Sequence, residues 1–244
     1  MPDGIDALYA EVLGAGGSPA RIREVLQRHA PEEATLRSLL RRPVAVPFLE
    51  HLGRTPPWSE RPSVLGAVVL NPRAPRGLSL RLVASLYWRD LADVAATPRV
   101  DGAVRSRAES ILQDRLSELR LGERVTLARL ATPALLRPLL ADAEPRVLEA
   151  ALRNPRVREE DLVLALRREG AARVLLEAAA ASSRWRESYA VQLALVLQPR
   201  TPLGIALGRI RSLLRKDQVR VAETEGLPPL VRAAALRVAG VENG

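Results

Sequence analysis

VLNPRAPRGLSLRLVASLYWRDLADVAATPRV occupies residues 69–100, and VLQPRTPLGIALGRIRSLLRKDQVRV occupies residues 196–221. Displaced by 127 residues and laid over one another without gaps, 71–108 and 198–235 share fourteen of 38 positions, where chance gives about four. The matches include Pro72/Pro199, Arg73/Arg200, Pro75/Pro202, Gly77/Gly204, Leu86/Leu213, Asp90/Asp217, Val104/Val231 and Arg105/Arg232. A looser copy begins at Asn154-Pro155-Arg156. Repetition of this kind is the mark of stacked units. A lone helix pair cannot bury its apolar stripe, and copies laid side by side bury it in one continuous core.

Each unit reads as helices. In the last copy Thr201 is expected to cap a helix with Pro202 at its first position, where a missing N–H costs nothing. Apolar residues follow at Leu203, Leu207, Ile210 and Leu214. Asp217 is expected to cap a short second helix. A break comes at Gly226-Leu227-Pro228-Pro229, and a third helix carries Val231, Ala234, Ala235 and Val238. Ser18-Pro19 and Thr132-Pro133 repeat the cap-then-proline start. No period-2 alternation is long enough to propose a strand. The expected fold is all-α, an α-solenoid of stacked HEAT-like repeats over 64–244. An atypical helical cap precedes it over 1–63, ending in the Pro-rich connection GRTPPWSERPS (53–63). In this reading NPR is punctuation, with proline stopping one helix before the next begins.

Composition agrees. The 244 residues are 47% hydrophobic and only 3% aromatic, so the core must be Leu, Ala and Val, which suits close-packed helices. No run of apolar residues is long enough for a membrane span, and the start MPDGIDALYAEV lacks the basic region of a signal peptide, so a cytoplasmic protein is expected. With no cysteine, disulfide, thiolate and Cys-ligated metal chemistry are excluded. The net charge is +9. Of the 37 basic residues only Lys216 is lysine, an imbalance that reads as coding from a GC-rich genome.

The stretch LLADAEPRVLEAALRNPRVREEDLVLAL (139–166) resembles the leucine-rich repeat variant family, whose pattern runs roughly L-A-x-D-x-x-x-x-V-R-x-x-x-A-x-N-P-x-x-P-x-x-L-L. The matching positions are Leu140, Ala141, Val147, Ala151, Asn154, Pro155 and Leu162, and Arg158 stands where that family has its second proline. The resemblance implies an α-solenoid that binds a partner rather than an enzyme.

Residues kept by both copies are expected to be structural, since a cap is needed in every unit and a catalytic acid only once. Asp90 and Asp217 are therefore read as caps, Asp90 with Asp93 as a capping box. Arg73, Arg105, Arg156, Arg200 and Arg232 are read as binders of helix-end carbonyls. GAGGS (14–18) lacks the strand and Lys-Ser/Thr of a phosphate loop, and reads as a helix end at Gly14 followed by the Ser18 cap.

Residues present in one copy only are the better candidates for contact with a partner. Trp88 aligns with Arg215 and lies beside Tyr87/Leu214, a pair read as buried, so Trp88 is a candidate anchor, with Trp58 as a second. Trp185 and Tyr189 are spaced to share one helix face and read as core. Between 198 and 237 eight basic residues face three acids. Arg209, Arg211, Arg215, Lys216 and Arg220 form a candidate phosphate-contacting strip or a solvated face. His29 and His51 lie in no metal motif, and no Ser lies in G-x-S-x-G. No metal, cofactor or catalytic residue is assigned.

The function expected is a non-catalytic scaffold for a protein partner. The alternative is a nucleic-acid binder using the basic strip. A HEAT-like alkylbase DNA glycosylase is a remote third, and it would need Trp88, Asp90, Asp93 and Trp185 to converge.

Overall fold

The computed structural model describes residues 4–240, so the chain start and its last four residues, on which the leader reading and the end of the last unit fall, lie outside it. Among the described residues all regular structure is helical. The all-α expectation is borne out. The chain divides into two compact units at Glu118/Leu119.

The first unit holds α1 (Gly4–Ala15), α2 (Pro19–His29), α3 (Glu33–Leu39), α4 (Val46–Arg54), α5 (Pro62–Val69), α6 (Arg76–Leu82), α7 (Trp88–Ala96) and α8 (Gly102–Asp114), with short 3-10 turns after α4, α6 and α8. The second holds α9 (Leu121–Leu130), α10 (Pro133–Leu139), α11 (Pro145–Leu152), α12 (Glu159–Arg167), α13 (Arg173–Ala181), α14 (Ser183–Arg186), α15 (Tyr189–Leu197), α16 (Leu203–Ile210), α17 (Arg215–Glu223) and α18 (Pro229–Ala239). Within each unit helices pack chiefly on those one to three steps away in sequence: α3 on α5, α5 on α7 and α6 on α8, then α9 on α11, α15 on α17 and α16 on α18. The connection 53–63 runs inside the first unit, where the turn Trp58–Glu60 packs on α4 and α5.

The two matched stretches fold alike. Displaced by 127 residues, α7 falls on α17 with both ends coincident, and α6 and α8 begin where α16 and α18 begin. Several shared residues do the same local work. Thr97 and Thr224 end α7 and α17, each hydroxyl donating to the carbonyl one turn back, Asp93 O at 2.6 Å and Arg220 O at 2.7 Å.

NPR does more than interrupt helices. Asn71, Asn154 and Gln198 are buried, while the prolines after them are exposed. Each side-chain amide ties the end of its own helix to the end of an earlier one. Asn71 Nδ2 donates to Leu40 O and Arg42 O at 2.8 Å, beyond α3. Asn154 Nδ2 donates to Ala128 O at 2.8 Å and to Arg129 O and Ala131 O at 3.2 Å, at the end of α9. Gln198 Nε2 donates to Leu166 O at 2.7 Å and Arg168 O at 2.9 Å, at the end of α12. The amide oxygens accept from the backbone N–H two residues on, at Arg73, Arg156 and Arg200. The clasp satisfies carbonyls that a helix end leaves without partners, and the extra methylene of Gln198 is accommodated in the same arrangement.

Several expectations about caps and faces are corrected. The caps of α7 and α17 are Tyr87 and Leu214, so Asp90 and Asp217 sit three residues inside, and no capping box forms at Asp90. Pro202, not Thr201, caps α16, and the Thr201 hydroxyl is buried without a partner. Gly14 lies within α1, and Gly16 (φ 58°) takes the left-handed conformation that ends it. On α16 the stripe Leu203/Leu207 is exposed, as is Leu214, while Ala206, Ile210 and Leu213 are buried.

Candidate functional site

Tyr87, read as buried, is 62% exposed, and Leu214 at the matching position is 54% exposed. Both are N-cap residues in extended backbone, immediately before α7 and α17. Trp88, the first residue of α7, is only half-buried, so the aromatic group most open to solvent here is its neighbour. Trp58 is corrected from surface anchor to core: it is buried, and the Arg61 guanidinium lies 5.0 Å from its ring centroid. Trp185 is core as expected, but it sits on α14 and Tyr189 begins α15, so the two share no helix face. Trp185 also belongs to the second unit, while Trp88, Asp90 and Asp93 belong to the first.

The basic strip separates into two groups. Arg209 is structural. Its guanidinium donates to Ala180 O at 2.9 Å and Ile205 O at 3.2 Å, and burial first, with Arg186 nearby second, draws its pKa down. Arg211, Arg215, Lys216 and Arg220 are exposed. Arg211 ends α16 and Arg215 begins α17, so these two are not one turn apart on one helix, whereas Lys216 and Arg220 are. Other arginines are spent on carbonyls as well. Arg156 donates to Leu130 O at 2.8 Å, Arg232 to Ala222 O at 2.9 Å, and Arg184 to Asn154 O at 2.9 Å and Val157 O at 2.7 Å. Part of the positive charge therefore serves the fold. Arg73 and Arg200 enter the clasp through their backbone N–H, and Arg105 Nε is buried without a partner.

Exposed apolar residues fall on the same three helices as those cations. Of the nine large hydrophobic residues that remain exposed among the described residues, five lie on or between α16, α17 and α18: Leu203, Leu207, Leu214, Leu230 and Val238. Leu203/Leu207 are one turn apart on α16, Leu230/Val238 two turns apart on α18, and these helices pack on each other. Val238 is 39% exposed, whereas Ile111, at the matching position of α8, is 4% exposed. Periodicity alone assigns Leu203, Leu207 and Leu214 to the core, and the structure leaves them exposed.

A second arrangement recurs at the third residue of α7, α12 and α17, where aspartates stand: Asp90, Asp161 and Asp217. Asp161, almost wholly covered, receives Arg137 Nε from α10 at 2.7 Å. Asp217 receives the Tyr189 hydroxyl from α15, and that hydroxyl accepts from Leu214 N–H at 3.1 Å. Burial, then the bond to Asp217, raises the Tyr189 pKa and keeps it a donor. Asp90 faces Gly66 on α5 instead, and no hydrogen bond or ion pair reaches its side chain from the described residues. Burial holds its carboxyl above the usual value, against the pull of Arg37, with Asp93 adding to the rise. A cavity of about 370 Å³ opens there between α3, α5 and α7, with Arg37, Arg41, Arg99 and Asp93 around it.

No three His, Asp or Glu side chains gather as a metal site among the described residues. His29 meets Glu11 at 3.0 Å, and burial, with Arg23 second, lowers the pKa of His51. No described helix is long and apolar enough to cross a membrane. Compared with known proteins, the chain matches no family model, no curated protein and no solved structure.

Proposed function

We propose that the chain is a non-catalytic α-solenoid scaffold, built of HEAT-like units akin to the leucine-rich repeat variant type, that binds another protein. The coincident helix boundaries at a displacement of 127 residues, the thrice-used amide clasp and the neighbour-to-neighbour packing support stacked units. The observation that carries the choice of partner is that α16–α18 leave Leu203, Leu207, Leu214 and Leu230 exposed on the same helices that carry the exposed Arg211, Arg215, Lys216 and Arg220. Exposed large apolar residues together with charged ones are what a protein-binding patch is made of, and the basic residues here favour an acidic partner surface. Phosphate backbones offer nothing for the leucines to cover.

Arg215, Lys216 and Arg220, exposed on one helix, favour nucleic acid as the second reading. The two separate by perturbation. Leu207→Ser with Leu230→Ser removes a protein partner retained by the immobilised chain in about 0.3 M salt, about twice physiological ionic strength, while Arg215→Gln with Lys216→Gln and Arg220→Gln weakens it only modestly. The proposal fails if instead duplex DNA binds with a log–log salt slope of about −0.9 per phosphate contacted and the leucine variant binds it unchanged.

A further inference from the structure

The aspartates at the third position of α7, α12 and α17 differ in one respect. Asp161 and Asp217 are neutralised or bonded from the helix packed beside them, by Arg137 and by Tyr189. Gly66 is the fifth residue of α5 as Arg137 is the fifth of α10, and each precedes its aspartate by the same interval. A Cβ at Gly66 would lie 2.9 Å from the Asp90 carboxyl carbon, so the glycine keeps the partner side chain out and lets the carboxylate lie against bare backbone. Asp90 is the most covered charged group lining the cavity; Arg37, Arg41, Arg99 and Asp93 are exposed around it. None of these three arginines closes an ion pair across the cavity. The site thus holds an inner carboxylate with no hydrogen-bond donor and, around it, three arginines and Asp93 that close no ion pair with one another, with Arg37 near enough to act on Asp90 through its charge.

We propose that this cleft takes the basic side chain of a peptide whose neighbouring residues are acidic. The Lys or Arg head of the peptide supplies Asp90 with the donor that Asp161 and Asp217 obtain from their own chain, as a charge-assisted hydrogen bond in a partly covered site. Carboxylates on either side of it meet Arg37, Arg41 and Arg99. A cavity of about 370 Å³ accommodates a side chain and the adjoining backbone. The inference concerns a site apart from the leucine surface of α16–α18 and does not depend on it.

The test is fluorescence anisotropy on the full chain with two labelled probes, Glu-Glu-Lys-Glu-Glu-amide and Glu-Glu-Gln-Glu-Glu-amide. The lysine probe is expected to bind tighter by about tenfold or more. Asp90→Asn, which keeps the shape of the side chain, abolishes that preference while leaving the helical circular dichroism unchanged. Arg37→Gln with Arg41→Gln weakens both probes alike, and Leu207→Ser weakens neither. Equal affinity for the two probes, no binding of either, or a loss in Asp90→Asn that is the same for both overturns the proposal. A loss in Leu207→Ser would place the peptide on α16–α18 and overturn it too.

Discussion

Replacing Asn154 by alanine tests whether the amide clasp, rather than the proline beside it, holds successive helices together. Asn154 is 2% exposed. Its Nδ2 donates to Ala128 O at 2.8 Å and to Arg129 O and Ala131 O at 3.2 Å, and its Oδ1 accepts from Arg156 N–H at 2.9 Å. Alanine removes all of these. Each lost bond costs about 1 kcal/mol, and a buried carbonyl left without a donor costs about 1–3 kcal/mol. Water reaches Arg129 O, which is only partly buried, but not readily Ala128 O or Ala131 O. The expected loss is therefore about 3–4 kcal/mol, at the upper end for a single substitution. Asn154→Asp does at least as badly, because it replaces the donor with a charge facing three carbonyls. Pro155 is exposed, and Pro155→Ala costs less than about 1 kcal/mol through the unfolded chain alone. The assay is urea unfolding followed at 222 nm, with the slope compared between variants so that a change in the unfolding unit is seen. A loss below about 1 kcal/mol for Asn154→Ala, or one no larger than that of Pro155→Ala, refutes the clasp.

Other outcomes follow from the same geometry. Trp58→Ala is expected to lose about 3 kcal/mol in urea unfolding, because the indole is core; a surface anchor would lose almost nothing. Tyr189→Phe removes the donor to Asp217 and the acceptor of Leu214 N–H, and should cost about 1–3 kcal/mol in the same assay. Asp90 holds its proton more tightly folded than unfolded, so its stabilising contribution is present below the unfolded value near 3.8 and is lost as pH rises through the raised folded value. Arg37 and Arg89 oppose that shift, Asp93 and Glu33 reinforce it, and Arg41 and Arg99 also line the cleft. Asp90→Asn should thus gain melting temperature over the parent at neutral pH and match it in acid; a gain that is constant across pH contradicts the assignment.

Much of the local structure was legible in the sequence. Helix starts at Ser18-Pro19 and Thr132-Pro133 and the break at Gly226–Pro229 follow from which residues fit the first turn and which cannot continue it, and the lack of period-2 alternation agrees with the all-helical structure of the described residues. The duplicated stretches led to coincident helices because capping and helical hydrogen bonding act within a few residues. The candidate sites were less legible. Trp58 and Tyr87 exchanged roles, core for surface, because burial depends on what packs over a side chain. The basic strip was found but its structural member, Arg209, was not separable from the others, since its carbonyl partner lies in α13. Asp90 reads as a helix cap from sequence, and the cleft beside it depends on α3 and α5.

By itself the sequence determined that the chain is helical, where the proline-marked helices α2 and α10 begin, that it breaks at 226–229, and that two segments are built alike, because those properties are settled by neighbours one or two turns away. Only the tertiary structure decided that Ala206, Ile210 and Leu213 go inward while Leu203, Leu207 and Leu214 stay out, that Asn71, Asn154 and Gln198 are clasps, and that Asp90 alone of three equivalent aspartates is left without a donor. The clasps and the aspartate pairs depend on a group 23 to 32 residues away in sequence, and α16 is apolar on more than one side, so the spacing of Leu203, Leu207 and Leu214 points to a face that its neighbours do not cover.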